Sequence, residues 1–394
     1  MSYLYSVPWI LFYISVFICC LPICKAQANN IEISKSVLML QKYVLFILPL
    51  FFVGCRGFLF TDWMSYYPFF NNAPTIFDNA KEINSYLGYL NWEKGFIWFT
   101  IFFKSFFNNY FFFQFFNFLI DYIILIQFFK NNVEKDLSWA IFFLFLFEGF
   151  QIEINLLRNT KAMMLFFISL KYLKQRKIIP YMLLNICGIF FHTSALFFLP
   201  LYFILPLKYN RKLIFSLYFI GIIFCILNFQ WIPALLKHLL PFLGFNKRLV
   251  FLISNYMQDA GGRSISIGFL ERILSFILVF YYENKILKLD EKYRIYINAF
   301  YIYTLLFLFG NSFAIIYQRI GLLFVFSYWI VYPLILKVCS IKQKKILLFI
   351  IFLYGFVKNV NGNKNILCKY NNFLIHEPNY IEYTKYFKIW ANNE

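Results

Sequence analysis

The chain has 394 residues, 61% of them hydrophobic and only 14% charged, with a mean hydropathy of +0.65. Soluble domains carry about a quarter charged residues, so this composition excludes an ordinary soluble protein. The net charge of +19 is spread in short clusters between apolar runs rather than on a soluble basic face, which argues against a nucleic-acid partner.

In chain order, the first apolar run, 3–24, lacks a positively charged leading region. It is too long for a signal-peptide core, and it reads as a membrane span. Further spans are expected near 41–60, 110–129, 137–156, 159–175, 178–191, 193–207, 213–231, 267–286, 295–313, 320–337 and 346–358. Basic clusters set the orientation. They are Lys25/Lys35/Lys42, Lys130/Lys135, Lys171/Lys174/Arg176/Lys177, Lys208/Arg211/Lys212, Lys285/Lys288/Lys292/Arg294 and Lys337/Lys342/Lys344/Lys345. Placing all of them in the cytoplasm puts about 20 of the 37 basic residues in short inner loops. The stretch 93–107 then cannot cross, and a re-entrant or interfacial helix is expected there. The pair 178–191 and 193–207 becomes a hairpin with His192 at its outer tip. The expected fold is an all-α polytopic integral membrane protein of about twelve transmembrane helices. It forms one domain over 1–394, with outer loops 61–109 and 232–266 and the tail 359–394 outside.

A charge at the centre of a span costs about 2.5–3.5 kcal/mol, so each one needs a reason. On this topology Arg56 and Asp62 flank the second exit, Glu93 opens the interfacial helix, and Arg158 opens the span that follows 137–156. His192, Arg263 and Arg319 fall at the same outer face. Arginines that converge there suit an anion, because guanidinium is permanently charged and forks onto phosphate oxygens. A polyprenyl diphosphate is the natural candidate, with its lipid tail among the spans. Other readings stay open. A lone arginine at a span end snorkels to headgroups. Asp121, Glu148 and Glu153 suit interhelical pairs. His192 suits packing. Tyr66 and Tyr67 suit either sugar stacking or an interfacial aromatic belt. The eight cysteines show no CxxC pair and read as small packing residues. With no HExxH, GxSxG or metal-spaced cluster in the sequence, no metal and no other cofactor is expected.

Four stretches in order carry a resemblance: "RGFLFTDWMSYYPFF", "WEKGFIWFTIFF", "LLRNTKAMMLFFISLKYLKQRKIIPYMLLNICGIFFHTSALFFLP" and "YQRIGLLF". Together they resemble the EpsG family of polysaccharide-polymerising membrane proteins, akin to Wzy O-antigen polymerases. Arg56, Asp62, Tyr66, Glu93, Arg158, His192 and Arg319 match motif positions, while Lys94 stands where the family often has Pro. The resemblance implies glycosyl transfer between undecaprenyl-diphosphate-linked oligosaccharides, donor and acceptor, at the outer face of a bacterial cytoplasmic membrane. The product is O-antigen, capsule or exopolysaccharide. Arg56, Arg158, Arg319, Arg263 and Tyr66 would bind diphosphate and substrate. Glu93, then His192, then Asp62 rank as the base. The implied partners are the lipid bilayer, a chain-length regulator and a flippase. Two other functions compete. A flippase for the same lipid-linked sugar would show repeat symmetry and a polar path to both faces, and a membrane sugar acyltransferase would transfer acyl groups instead.

The topology makes a direct prediction. Cysteines placed near Asn72, Asn246 and Asn363 are expected to react with an impermeant thiol reagent added outside, and cysteines near Asn132, Asn210 and Gln343 are not. Reversed labelling would move the charged cluster to the cytoplasm.

Overall fold

A computed structural model describes residues 2–29, 34–89, 92–133, 136–227, 229, 231, 232, 235, 266–310 and 319–392. Among them every element is helical. The extended backbone forms only one isolated antiparallel bridge, between Arg56 and Asn372. In lipid each backbone N–H and C=O needs a partner within its own segment, which helices supply. Among the described residues, five helices are long and apolar enough to cross a membrane: Tyr3–Pro22, Lys35–Gly54, Tyr110–Val133, Gly321–Val338 and Ile341–Gly362. A sixth is counted if Leu137–Leu146 and Gly149–Asn155, bent by 68°, form one broken span. The protein is therefore a polytopic helical membrane protein. The other expected spans coincide with helices that are shorter or more charged, such as Leu157–Lys174, which carries Arg158, Lys161, Lys171 and Lys174.

The chain divides into two compact units, Met1–Leu199 with Cys339–Glu394, and Pro200–Val338. The first unit holds α1 (Val7–Asn29), α2 (Lys35–Pro49), α3 (Trp63–Asn72), α4 (Ala80–Tyr89), α5 (Lys94–Phe106), α6 (Tyr110–Val133), α7 (Leu137–Leu146), α8 (Gly149–Asn155), α9 (Leu157–Lys174) and α10 (Ile178–Ile189). A 3-10 turn, Thr193–Phe198, follows α10 and packs back on it. The second unit holds α11 (Leu201–Ile204), α12 (Arg211–Ile226), α13 (Ile267–Leu287), α14 (Arg294–Gly310) and α15 (Phe326–Val338). Within it Tyr218 stacks on Phe276 at 3.5 Å, and Arg211 pairs with Glu283 at 3.1 Å. Most of the expected outer loop 232–266, including Arg263, lies outside the described residues. The chain returns to the first unit with α16 (Ile341–Gly362), opened by a Ser340/Gln343 capping box, and α17 (Tyr380–Ala391).

The stretch 93–107 is the helix α5. The segment 61–109, expected outside, is thus built, not loose. Tyr86 donates to the Phe69 carbonyl at 2.6 Å, Lys104 to the Asn71 carbonyl at 2.6 Å, and Ile76 N–H to Ser105 Oγ at 2.8 Å. Beneath them α3, α5 and the start of α6 share an aromatic core that includes Phe70, Phe96 and Phe113, all fully buried.

Helix α9 packs against both α6 and α10. Lys161, one turn after Arg158, pairs with Asp121 of α6 at 2.6 Å and donates to the Asn117 carbonyl at 3.0 Å. Only 7% and 1% of the two paired side chains are exposed, so water cannot stand in for either. Removing one partner of such a pair strands a buried charge at a cost of about 3–5 kcal/mol, whereas an apolar pair of similar size restores much of it. Lys161→Met is expected to lower the thermal unfolding midpoint in detergent sharply. Lys161→Met with Asp121→Leu should recover most of the loss, and a double variant no more stable than the single one would contradict the pairing.

Candidate functional site

The site forms where α5, α9 and the turn after α10 meet. Arg158 sits in the first turn of α9, and its Nη1 donates to Glu93 Oε2 over 2.6 Å. Glu93 is the residue before α5, in extended backbone, and its carboxylate makes no cap to its own helix. Instead its other oxygen, Oε1, accepts the backbone N–H of Thr193 at 3.1 Å. The Arg158 guanidinium lies over the Trp92 ring at 4.5 Å, where ring quadrupole and cation attract. Tyr66 of α3 completes the group. It packs edge-on against Trp92 at 5.3 Å and lies within electrostatic range of Arg158. Burial pushes the Tyr66 phenol above its ordinary value, against the pull of Arg158, so the hydroxyl keeps its proton near neutral pH. Arg158 and Glu93 are 23% and 14% exposed, enough for a ligand to reach them.

A glycine makes this approach possible. Gly95 N–H donates to the Phe190 carbonyl at 2.8 Å, and a Cβ on Gly95 would stand 2.5 Å from that same oxygen. Any side chain there forces α5 away from the end of α10, and Glu93 away from Thr193.

Beyond Thr193 the turn carries His192 and Ser194. The Ser194 backbone N–H donates to His192 Nδ1 at 3.1 Å, and the Ser194 hydroxyl lies 2.8 Å from the same nitrogen. That hydroxyl also reaches Asn159 Oδ1 at 2.5 Å, next to Arg158 on α9. The His192 turn and the start of α9 are therefore joined by side chains as well as through Glu93.

Asp62 sits at the edge of this group. Its backbone N–H and that of Thr61 donate to Asn155 Oδ1 at 3.4 Å, and its carboxylate is an electrostatic neighbour of Tyr66. Arg56 stands apart from the exposed group, with a side chain only 1% exposed. Its Nη1 donates to the Val53 carbonyl at 2.7 Å and its Nη2 to the Glu153 carbonyl at 3.3 Å. In this arrangement the fork is engaged by backbone, where two helical segments end. Arg319 belongs to the second unit and is exposed, just before the turn Gly321–Phe324.

The structure thus groups Glu93, Arg158, Tyr66 and His192, with Asp62 beside them and Arg56 beneath. Trp92, Asn155, Asn159 and Ser194 join them, and the sequence reading passed over all four. Asn159 had a visible signal, since a polar residue follows Arg158 directly in an apolar helix. Ser194 had one too, two residues after a histidine at a turn. The tail also bears on the site. Gly57 N–H donates to the Asn371 carbonyl at 2.9 Å and Phe373 N–H to the Cys55 carbonyl at 3.0 Å, and Tyr380 stacks on Tyr67 at 4.8 Å. The chain does turn after Arg56, but the positive φ falls on Phe60, at 59°. Gly57 is needed because Pro378 would lie 2.7 Å from a Cβ there.

Two glycine variants separate this packing from helix propensity. Gly95→Ala is expected to lower the unfolding midpoint. Gly88→Ala, whose new Cβ meets nothing within 4 Å, is expected to leave it unchanged or raise it. Equal effects at both positions would contradict the close approach of α5 to Phe190.

Comparison with known proteins gives a family for this geometry. None of the curated proteins and none of the solved structures matches the chain. The model of the EpsG family matches residues 39–372, which spans the second apolar helix through the start of the tail and includes every grouped residue. This polytopic membrane protein belongs to the EpsG family.

Proposed function

We propose that the protein is a polysaccharide polymerase of the cytoplasmic membrane that joins lipid-linked oligosaccharide repeat units at its outer face, within about twelve spans. The observation that carries this reading is the half-open Arg158–Glu93 pair, with Trp92 and Tyr66 around it. An arginine held by a carboxylate is a ready anion site, because a diphosphate can replace the carboxylate on the fork. When it does so, Glu93 is released from its ion pair beside the bound substrate.

The chemistry follows from that exchange. A hydroxyl oxygen of the incoming unit attacks the anomeric carbon of the growing chain's first sugar. The bond from that carbon to the diphosphate oxygen breaks, and undecaprenyl diphosphate leaves with the electron pair. Glu93 takes the hydroxyl proton. Arg158 stabilises the charge that gathers on the leaving diphosphate, helped by the protonated Tyr66. Asp62 lies near Tyr66 for the acceptor sugar. Arg56 serves from beneath by fixing the ends of the segments that carry Asp62 and Arg158, and Arg319 and Arg263 are proposed as further positive charge for the diphosphate. The donor, the acceptor and the bilayer are the partners this chemistry requires, and a flippase and a chain-length regulator act before and alongside it.

Charge-swapped and conservative variants test the assignment in a strain that lacks the chromosomal copy, with surface polysaccharide resolved by length. Arg158→Lys keeps the charge and loses the fork. It is expected to cut chain growth by about 10²–10³-fold at normal protein abundance, in the range of a lost charge-stabilising donor. Glu93→Gln should abolish growth. Full activity in Arg158→Lys and Arg158→Ala would reduce the residue to a headgroup anchor. Given purified lipid-linked units, longer chains mean a polymerase. Acetylated units of unchanged length would mean an acyltransferase instead.

A further inference from the structure

We propose that the groove between the end of α3 and one face of α4 is a glycan subsite, and that it holds a neutral stretch of the growing polysaccharide away from the reacting end. The proposal rests on the polymerase reading and adds a second place of contact with the same substrate.

The groove is built by the segment that follows Tyr66. Helix α3 ends at Asn72, the chain turns through 73–79, and α4 begins at Ala80. In that turn the Thr75 N–H donates to Asp78 Oδ2 at 2.6 Å, and Asn79 Oδ1 accepts the Lys81 N–H at 3.3 Å. Lys81, Glu82 and Ser85 then share one face of α4 at helical spacing. With Asn72, Asp78 and Tyr86 they line a cavity of about 520 Å³. Ligand sites span about 300–1,000 Å³. Its walls are tied together. Tyr86 holds α4 to the Phe69 carbonyl, Lys104 holds α5 to the Asn71 carbonyl, and Ile76 N–H holds the turn to Ser105.

The lining decides the class of ligand. Asp78 and Glu82 bring two negative charges and Lys81 one positive, so a diphosphate or an anionic headgroup is disfavoured. The bond from the Thr75 N–H holds the Asp78 carboxyl below its ordinary range, so at neutral pH it only accepts. A lipid tail is disfavoured too, because it would strip water from these polar groups and replace none of their hydrogen bonds. A sugar satisfies them. Its hydroxyls donate to Asp78 and Glu82, accept from Lys81 and the Asn72 amide, and do either with Ser85. Pro74 and the Tyr86 ring complete the lining with apolar surface for the C–H faces of a pyranose.

Position joins the groove to the reaction. Asn72 lies six residues after Tyr66 on α3, about 9 Å along the helix axis. Ring contacts run back from the groove to the charged group. Tyr86 packs on Phe69 at 5.5 Å, Phe69 on Trp92 at 4.3 Å, and Trp92 lies under the Arg158 guanidinium. The chain whose diphosphate is held at Arg158 is the growing one, so the sugars that reach the groove belong to it. A chain held there is retained while its carrier diphosphate leaves, and the groove thereby favours repeated additions to one chain.

The test uses the full-length protein in lipid nanodiscs. The probe is a lipid-free oligosaccharide of a few repeat units, cut from the host strain's own surface polysaccharide. Calorimetric titration is expected to show binding by wild type that Arg158→Ala retains. Ser85→Trp fills the groove and should weaken binding at least about tenfold, the scale of one or two lost hydrogen bonds. Asn72→Ala with Glu82→Ala empties the groove of two partners and should act the same way at an unchanged unfolding midpoint, so a folding defect in one variant does not decide the matter. In chain-growth assays both variants should couple two single units at the wild-type rate yet give a shorter modal chain length. No binding by wild type, unchanged binding in both groove variants, or calcium bound in place of the oligosaccharide overturns the subsite. Binding lost in Arg158→Ala and kept in the groove variants also overturns it, by placing the glycan at the charged group. Equal loss of the first coupling and of later additions overturns the assignment to the growing chain. If purified wild type joins no units at all, the polymerase reading fails, whereas the titration still decides whether the groove takes a glycan.

Discussion

The buried ion pair between Lys161 and Asp121 is the constraint on which the first unit depends. Both charges lie inside a helical membrane protein, where neither is tolerable alone. Their pairing therefore fixes the height of α9 against α6. Arg158 lies one turn earlier on the same helix, so the reach of its guanidinium to Glu93 is set by a contact deeper in the protein. Glu153 lies within electrostatic range of Asp121, Lys161 and Arg56.

Three cations of the first unit, the buried Arg56 and Lys104 and the partly exposed Lys358, bind carbonyls at helix ends. Arg56 donates to Val53 and Glu153 carbonyls, Lys104 to that of Asn71, and Lys358 to that of Leu146. Each of these carbonyls lies in the last turns of a helical segment, where the backbone has no partner of its own and the helix dipole is negative. The break between α7 and α8 shows the arrangement most fully. Glu148 adopts φ 62°, and Lys358 binds both its carboxylate and the Leu146 oxygen. Cations here close the ends of broken helices, which lets the chain bend inside an apolar medium without leaving polar atoms bare.

This explains what could and could not be read from the sequence. Apolar runs and basic clusters located the helices, because hydropathy and the positive-inside rule act on each segment separately. The helix at 94–106 followed from charge placement alone. Arg158, Glu93 and His192 were legible because polar residues at the ends of apolar runs need a cause. The fate of Arg56 was not, since an arginine that binds backbone carbonyls and one that binds phosphate look alike in sequence. Lys161 was hidden among residues of an otherwise ordinary span, its meaning set by Asp121 on another helix. The tail was hidden most completely, because its bonds to residues 55–60 are backbone bonds with no residue signature.

That tail connection has a consequence for how the protein is made. Asn372 donates to the Phe51 carbonyl, 321 positions away in the chain. The segment that carries Arg56 and Asp62 is synthesised and inserted early, yet its edge is covered only when the final stretch arrives. Domains tend to fold in order of synthesis, but this face cannot. During translation the early helices sit in the bilayer with an unfinished rim until residues 367–373 reach it.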